Sequence, residues 1–165
     1  MPGSLYDLDI LEWSQRQAKR LRRLARGERV DDVDWEHVAE EIEDVGRSEL
    51  NSVQSLFRQA LLHMQKAAAW PQSSAAAHWT LEAGTFLADA QQRFAPSMRR
   101  HVSVTQLYAR ALVQVRGVRI DGRPPAPLPD VCPFTLDELL ADPPDVAALV
   151  ARLAGPAPDR RAGLA

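Results

Sequence analysis

The stretch Asp34-Trp35-Glu36-His37-Val38-Ala39-Glu40-Glu41-Ile42-Glu43-Asp44-Val45-Gly46-Arg47-Ser48-Glu49 is dense in carboxylates, yet its spacing is that of a helix. At about 100° per residue, Glu36, Glu40, Glu43 and Arg47 fall within about 60° of one another. Val38, Ile42 and Val45 take the other side. A carboxylate row opposite an apolar row is a solvated face, supported by Glu43 and Arg47 one turn apart. Acidic residues in the first turns also suit the positive end of the helix dipole.

The apolar row continues past Glu49 through Val53, Leu56, Ala60, Met64 and Ala67. It predicts one long helix from Trp35 to about Ala68, broken by Pro71 and Gln72-Ser73-Ser74. Gly46 inside it costs about 1 kcal/mol against alanine, which a helix of this length tolerates. Upstream, Leu8, Leu11, Ala18, Leu21 and Ala25 predict a first helix from Asp7 to Arg26, ended by Gly27. Asp31, Asp32 and Asp34 then offer caps for the long helix.

Downstream, Trp79, Ala83, Phe86, Leu87, Ala90 and Phe94 share one side of a third helix. A fourth, capped by Ser97, carries Met98, Val102, Thr105, Ala109, Leu112 and Val113 and stops at Gly117. The run Arg123 to Pro133 is rich in proline, which removes backbone donors and favours an extended path. Thr135-Leu136-Asp137-Glu138 is a capping-box pattern opening a short helix. Asp142-Pro143-Pro144-Asp145 opens another, with proline at its first position, carrying Val146, Leu149, Val150 and Leu153. No segment alternates with period two. The expected fold is all-α, a four-helix up-down bundle over residues 1–117. A Pro-rich C-terminal arm over 118–154 carries the two short helices, and 155–165 forms a flexible tail, all in one domain over 1–165.

The chain has 165 residues, 45% hydrophobic and 25% charged, with a net charge of −2, an ordinary globular balance without global attraction to nucleic acid or anionic lipid. The single Cys132 excludes an internal disulfide and agrees with a reducing cytoplasm. No run approaches the roughly 18 to 20 apolar residues that cross a bilayer, and the N-terminus lacks the pattern of a signal peptide. A cytoplasmic location, with no membrane association, is expected.

Several segments carry a resemblance. These are Tyr6-Asp7, Trp13, Asp34-Trp35, the block Ala39 to Glu49, Leu61-Leu62-His63-Met64-Gln65-Lys66, Trp79, and Cys132-Pro133-Phe134-Thr135-Leu136-Asp137-Glu138-Leu139-Leu140. In this order the chain resembles the bacterial family numbered twenty-nine among the domains of unknown function, over roughly Leu5 to Ala141. The resemblance implies an α-helical fold and brings no activity, substrate or catalytic residue. Family members usually continue after Leu-Leu-His with an aromatic stretch containing Gln-Pro, where this chain reads Lys66-Ala67-Ala68-Ala69-Trp70-Pro71-Gln72.

Di-iron bundles use Glu-x-x-His pairs. Here Asp34, Ala60, Ala75 and Met98 stand three residues before His37, His63, His78 and His101, so none forms such a pair. Asp34-x-x-His37 comes nearest, but lies at a helix start with His37 facing away from the apolar row. Glu49 and His63 sit on that row by heptad spacing, which predicts a buried polar pair or a ligand site in the bundle, with Trp35, Trp79 and Trp70 able to line it. There is no phosphate loop, nucleophile elbow or cysteine pair, and Cys132 reads as a packing thiol. No catalytic residue, metal or cofactor is expected. The basic run Arg16, Lys19, Arg20, Arg22, Arg23, Arg26 and Arg29 complements the negative end of the first helix. The expected function is that of a non-enzymatic protein-interaction or self-associating module, whose partner is another protein or a second copy. Two alternatives are a metal- or small-ligand-binding bundle using Glu49 and His63, and nucleic-acid binding through the basic run.

Overall fold

The computed structural model describes residues 4–155. Its elements are α1 (Leu5–Leu8), α2 (Ile10–Ala25), α3 (Trp35–Ala69), α4 (Ala76–Arg93), a 3-10 turn (Pro96–Arg100), α5 (Val104–Arg116), α6 (Leu136–Leu139) and α7 (Val146–Leu153). Among the described residues the extended structure is an isolated bridge between Ile120 and Arg123, so the fold is all-α. The chain divides into two units, Met1–Ser48 and Glu49–Ala165, with the division inside α3. The expected tail lies, from residue 156 onward, outside the described residues.

In the first unit, the helix expected over Asp7 to Arg26 is two helices. Ser4 and Asp7 form a capping box that closes α1 as a single turn. Asp9 then ends α1 and caps α2, its carboxylate accepting from the Glu12 amide at 3.0 Å. An aspartate bonding the amide three residues on favours restarting a helix over continuing one. Gly27, at φ 79°, ends α2 in the left-handed region that glycine reaches without a Cβ penalty.

The predicted apolar face of α2 also shifts. Leu8 and Leu11 are exposed, and the line that buries is Trp13 and Gln17, one turn apart. Gln17 is tolerated there because its Oε1 accepts from the Asp34 amide at 3.1 Å, at the start of α3. On α3, Val38 is buried, but Ile42 and Val45 are 68% and 66% exposed.

In the second unit, α3 buries Val53, Phe57, Ala60, Leu61 and Met64 completely. The covered face is thus turned toward Phe57 and Leu61, which the predicted row only skirted. α4 adds Trp79, Ala83, Leu87 and Ala90 as expected. Gly84 brings its backbone close to α7: a Cβ there would stand 3.7 Å from Val146.

The fourth helix begins later than expected. Pro96–Arg100 forms only a 3-10 turn, and Ser103 rather than Ser97 caps α5 through the Gln106 amide. Its buried face is Val104, Leu107, Tyr108, Ala111, Leu112 and Val115, whereas Val113 is 72% exposed. Starting the helix elsewhere rotates which residues face inward. The Thr135 capping box forms and opens α6. Asp145 caps α7, so Pro143 and Pro144 precede the cap instead of occupying the first helical position.

The proline-rich run has carbonyls to offer and few amides. Trp70 Nε1 donates to the Arg123 carbonyl at 3.0 Å, and the Tyr108 hydroxyl to the Pro129 carbonyl at 2.7 Å. The Ala126 amide returns a bond to the carbonyl of Ala69 at 2.9 Å, beside the end of α3.

Candidate functional site

The densest polar and aromatic cluster in the first unit surrounds the N-terminus of α3. Asp34 sits just before that helix, where a carboxylate is favoured by the exposed amides and the dipole. It accepts from Trp13 Nε1 at 3.0 Å and from His37 Nδ1 at 2.8 Å. The ring of Tyr6 stacks on His37 with centroids 4.0 Å apart and meets Trp13 edge-on at 4.9 Å. The Tyr6 hydroxyl donates to Glu41 at 2.8 Å. Three elements, α1, α2 and α3, are therefore pinned at one point.

The electrostatics follow from these bonds. The Trp13 and His37 donors hold the Asp34 carboxyl below its ordinary value. The bond to Asp34 raises His37, against a smaller opposing effect of desolvation. The bond to the Glu41 carboxylate pushes Tyr6 up to about 12. Each shift favours the protonation state that keeps its own hydrogen bond, which is the behaviour of a clamp.

Glu49 and His63 are not brought together. Glu49 is exposed, its carboxylate 3.6 Å from Arg93. Heptad spacing does set the two residues on one side of α3, but the cover over that side begins only at Val53. His63 is largely buried, with its side chain 14% exposed, and Nε2 lies 2.9 Å from Glu82. Its Nδ1 donates to the Gln59 carbonyl at 2.8 Å. His78 reaches the same Glu82 oxygen at 3.3 Å. Both neighbours of His63, the Gln59 carbonyl and the Glu82 carboxylate, are acceptors.

Trp35, 61% exposed, lines no buried site, while Trp79 is buried with Trp70 in a small cluster and carries the Lys66 ammonium 4.5 Å above its ring. A groove of about 480 Å³ runs along Ser52, Ser55, Leu56, Asp89, Gln92 and Arg93. Among the described residues no three His, Cys, Asp or Glu side chains are grouped to hold a metal ion. Nor is any helix long and apolar enough to cross a membrane.

The basic run is largely neutralised in place. Arg16 pairs with Glu12, Arg20 with Asp32, Arg23 and Arg26 with Glu28, and Arg29 with Asp31. Cys132 is half-buried, its thiol donating to the Phe134 carbonyl at 3.6 Å, and burial pushes its pKa up. That is the environment of a packing thiol, as the sequence suggests.

The clamp is the feature that periodicity alone missed. The signal was present in another form, because Tyr6, Trp13, Asp34 and Glu41 all lie in the segments that carry the family resemblance.

These features describe an all-α protein of capped helices whose first unit is held by a carboxylate–aromatic clamp. The chain belongs to the family described as domain of unknown function DUF29, whose model matches residues 5–143. It is also similar to a solved α-helical protein of unknown function from Rhodospirillum rubrum, at 34% identity and a TM-score of 0.69, covering 92% of this chain and 98% of that one. No curated protein matches.

Proposed function

We propose that this protein is a non-enzymatic protein-interaction module of the cytoplasm, and that the N-terminal part of α3 is its binding surface. One observation carries the reading. Trp35, Val38, Ile42 and Val45 follow the three-four spacing of a helix-pairing seam. Of these, only Val38 is buried, while Trp35, Ile42 and Val45 are 61%, 68% and 66% exposed. Single exposed apolar residues are ordinary, but a row of them at pairing spacing on a clamped helix is a surface suited to a partner. The clamp supports the same reading, since a rigid helix loses less entropy on binding than a mobile one.

The test is a bifunctional cross-linker applied to cells expressing wild type or the double variant Ile42→Asp, Val45→Asp. Both side chains are solvated, so the variant keeps its helical signal and melting temperature. The reading expects an adduct with wild type that the variant loses. An adduct of equal yield in both proteins contradicts it.

A further inference from the structure

We infer that the cleft between α3 and α5 is an anion site, which takes a phosphate-sized oxyanion, free or as the terminal group of a small molecule, on Arg58 and Arg110. The site belongs to the second unit and is independent of the apolar row at the start of α3.

The first observation is the lining. Asn51, Gln54, Ser55 and Arg58 follow one another at three-four spacing, so a single stripe of α3 makes one wall. Leu107 and Arg110, one turn apart on α5, make the other, and the cleft has a volume of about 170 Å³. The walls are tied by Gln54 Nε2, which donates to the His101 carbonyl at 3.0 Å, and by Arg58 Nη1, which donates to Gln114 Oε1 at 3.4 Å. Gln114 is a neutral acceptor at the long end of hydrogen bonding, and a guanidinium has further donors to offer. Every charged group on the lining is a cation, set beside the Ser55 hydroxyl and the Asn51 amide. A carboxylate is matched by one guanidinium fork, whereas a phosphate has oxygens for two.

The second observation is the missing counter-charge. No aspartate or glutamate occurs between Leu50 and Leu81 or between Ala90 and Ile120, so both walls come from stretches without carboxylates. Other arginines of this unit are answered in place: Arg93 by Glu49, Arg99 by Asp137, Arg116 by Asp130 and Arg152 by Glu138. Among the described residues neither Arg58 nor Arg110 joins such a pair. The adjoining groove, which shares Ser55, carries Asp89 as well as Arg93 and is balanced. Two cations lining one cleft repel each other, and an anion between them replaces that repulsion with attraction. A cleft lined by one sign of charge also concentrates the opposite ion.

The test is an amide-resolved NMR titration of the isotopically labelled full chain with inorganic phosphate, and separately with phenyl phosphate, at ionic strength held constant with chloride. Saturable shifts are expected at Asn51, Ser55, Arg58 and Arg110. Arg110→Gln is expected to weaken binding at least about tenfold, the loss of a charge-assisted hydrogen bond, and Arg58→Gln to do the same. Ser55→Glu, which supplies the missing anion from within the chain, is expected to abolish it. Arg119→Gln, a cation outside the cleft, is expected to leave it unchanged. Ser55 and Arg110 are exposed, so their variants decide the matter even if Arg58→Gln fails to fold. Equal affinity for the two probes marks a free oxyanion, and tighter binding of phenyl phosphate marks the terminal group of a small molecule. Shifts that never saturate, or an affinity that Arg110→Gln and Ser55→Glu leave unaltered, overturn the inference.

Discussion

Asp34 and His37 stand three residues apart at the start of α3, with carboxylate and Nδ1 2.8 Å apart. The pair is where the chain's first two helices are fastened to its third. Folding lowers the pKa of Asp34, through Trp13 first and His37 second, so its contribution is present above the ordinary carboxylate range and lost as pH falls through the lowered value. Folding raises His37, so its contribution is full below the ordinary histidine value and lost as pH rises through the raised one. The clamp is therefore strongest between those limits. Fluorescence of Trp13, in a protein whose other three tryptophans are replaced by phenylalanine, should titrate at both edges. A signal flat from mildly acidic to mildly alkaline pH contradicts the clamp.

Gln65 is fully buried, and its Nε2 donates to the Tyr108 carbonyl at 3.1 Å while its Oε1 has no partner among protein atoms. An unsatisfied buried acceptor costs about 1–3 kcal/mol, and replacing it by an apolar side chain of similar shape removes that cost. Gln65→Met should leave stability to urea unchanged or raise it by about 1 kcal/mol. A loss of about 2 kcal/mol or more would mean that Oε1 is bonded to an ordered water.

Tyr108 combines complete burial of its ring with a hydroxyl bond to the Pro129 carbonyl at 2.7 Å. Tyr108→Phe keeps the packing and removes the donor, leaving that carbonyl unpaired. The expected loss is about 1–2 kcal/mol, with faster amide exchange at Val131, two residues after the bonded Pro129. An unchanged unfolding midpoint would show that the proline-rich segment does not depend on this bond.

The Cys132 thiol is raised by burial, so its thiolate is scarcer at neutral pH than that of a free cysteine. Native protein should react with a disulfide reagent more slowly than unfolded protein, and the rate should climb with pH. A native rate above the unfolded one would identify an activated thiol and reopen an enzymatic reading.

The helices were legible because apolar spacing and caps are local. Trp35 to Ala69, the Thr135 box and the stop before Gly117 follow from residues close in the chain. Asp9 was equally local, yet an apolar row running through it hid the restart that its side chain creates. The positions of cover along α3 were not legible. Ile42, Glu49 and Leu56 repeat at the same angle, and only the elements packed beside them decide which is buried. The clamp stayed hidden for the same reason: His37 points away from the apolar row, and its partners Tyr6 and Trp13 arrive from helices whose placement periodicity does not encode.

The most direct test of the binding surface is a photo-cross-linking amino acid placed in turn at each position from Trp35 to Arg47 in the cell. The account predicts adduct yields peaking at Trp35, Ile42 and Val45 and falling to background at Glu40 and Arg47, on the opposite face. Uniform yields around the helix, or a peak on the Glu40 side, would contradict it.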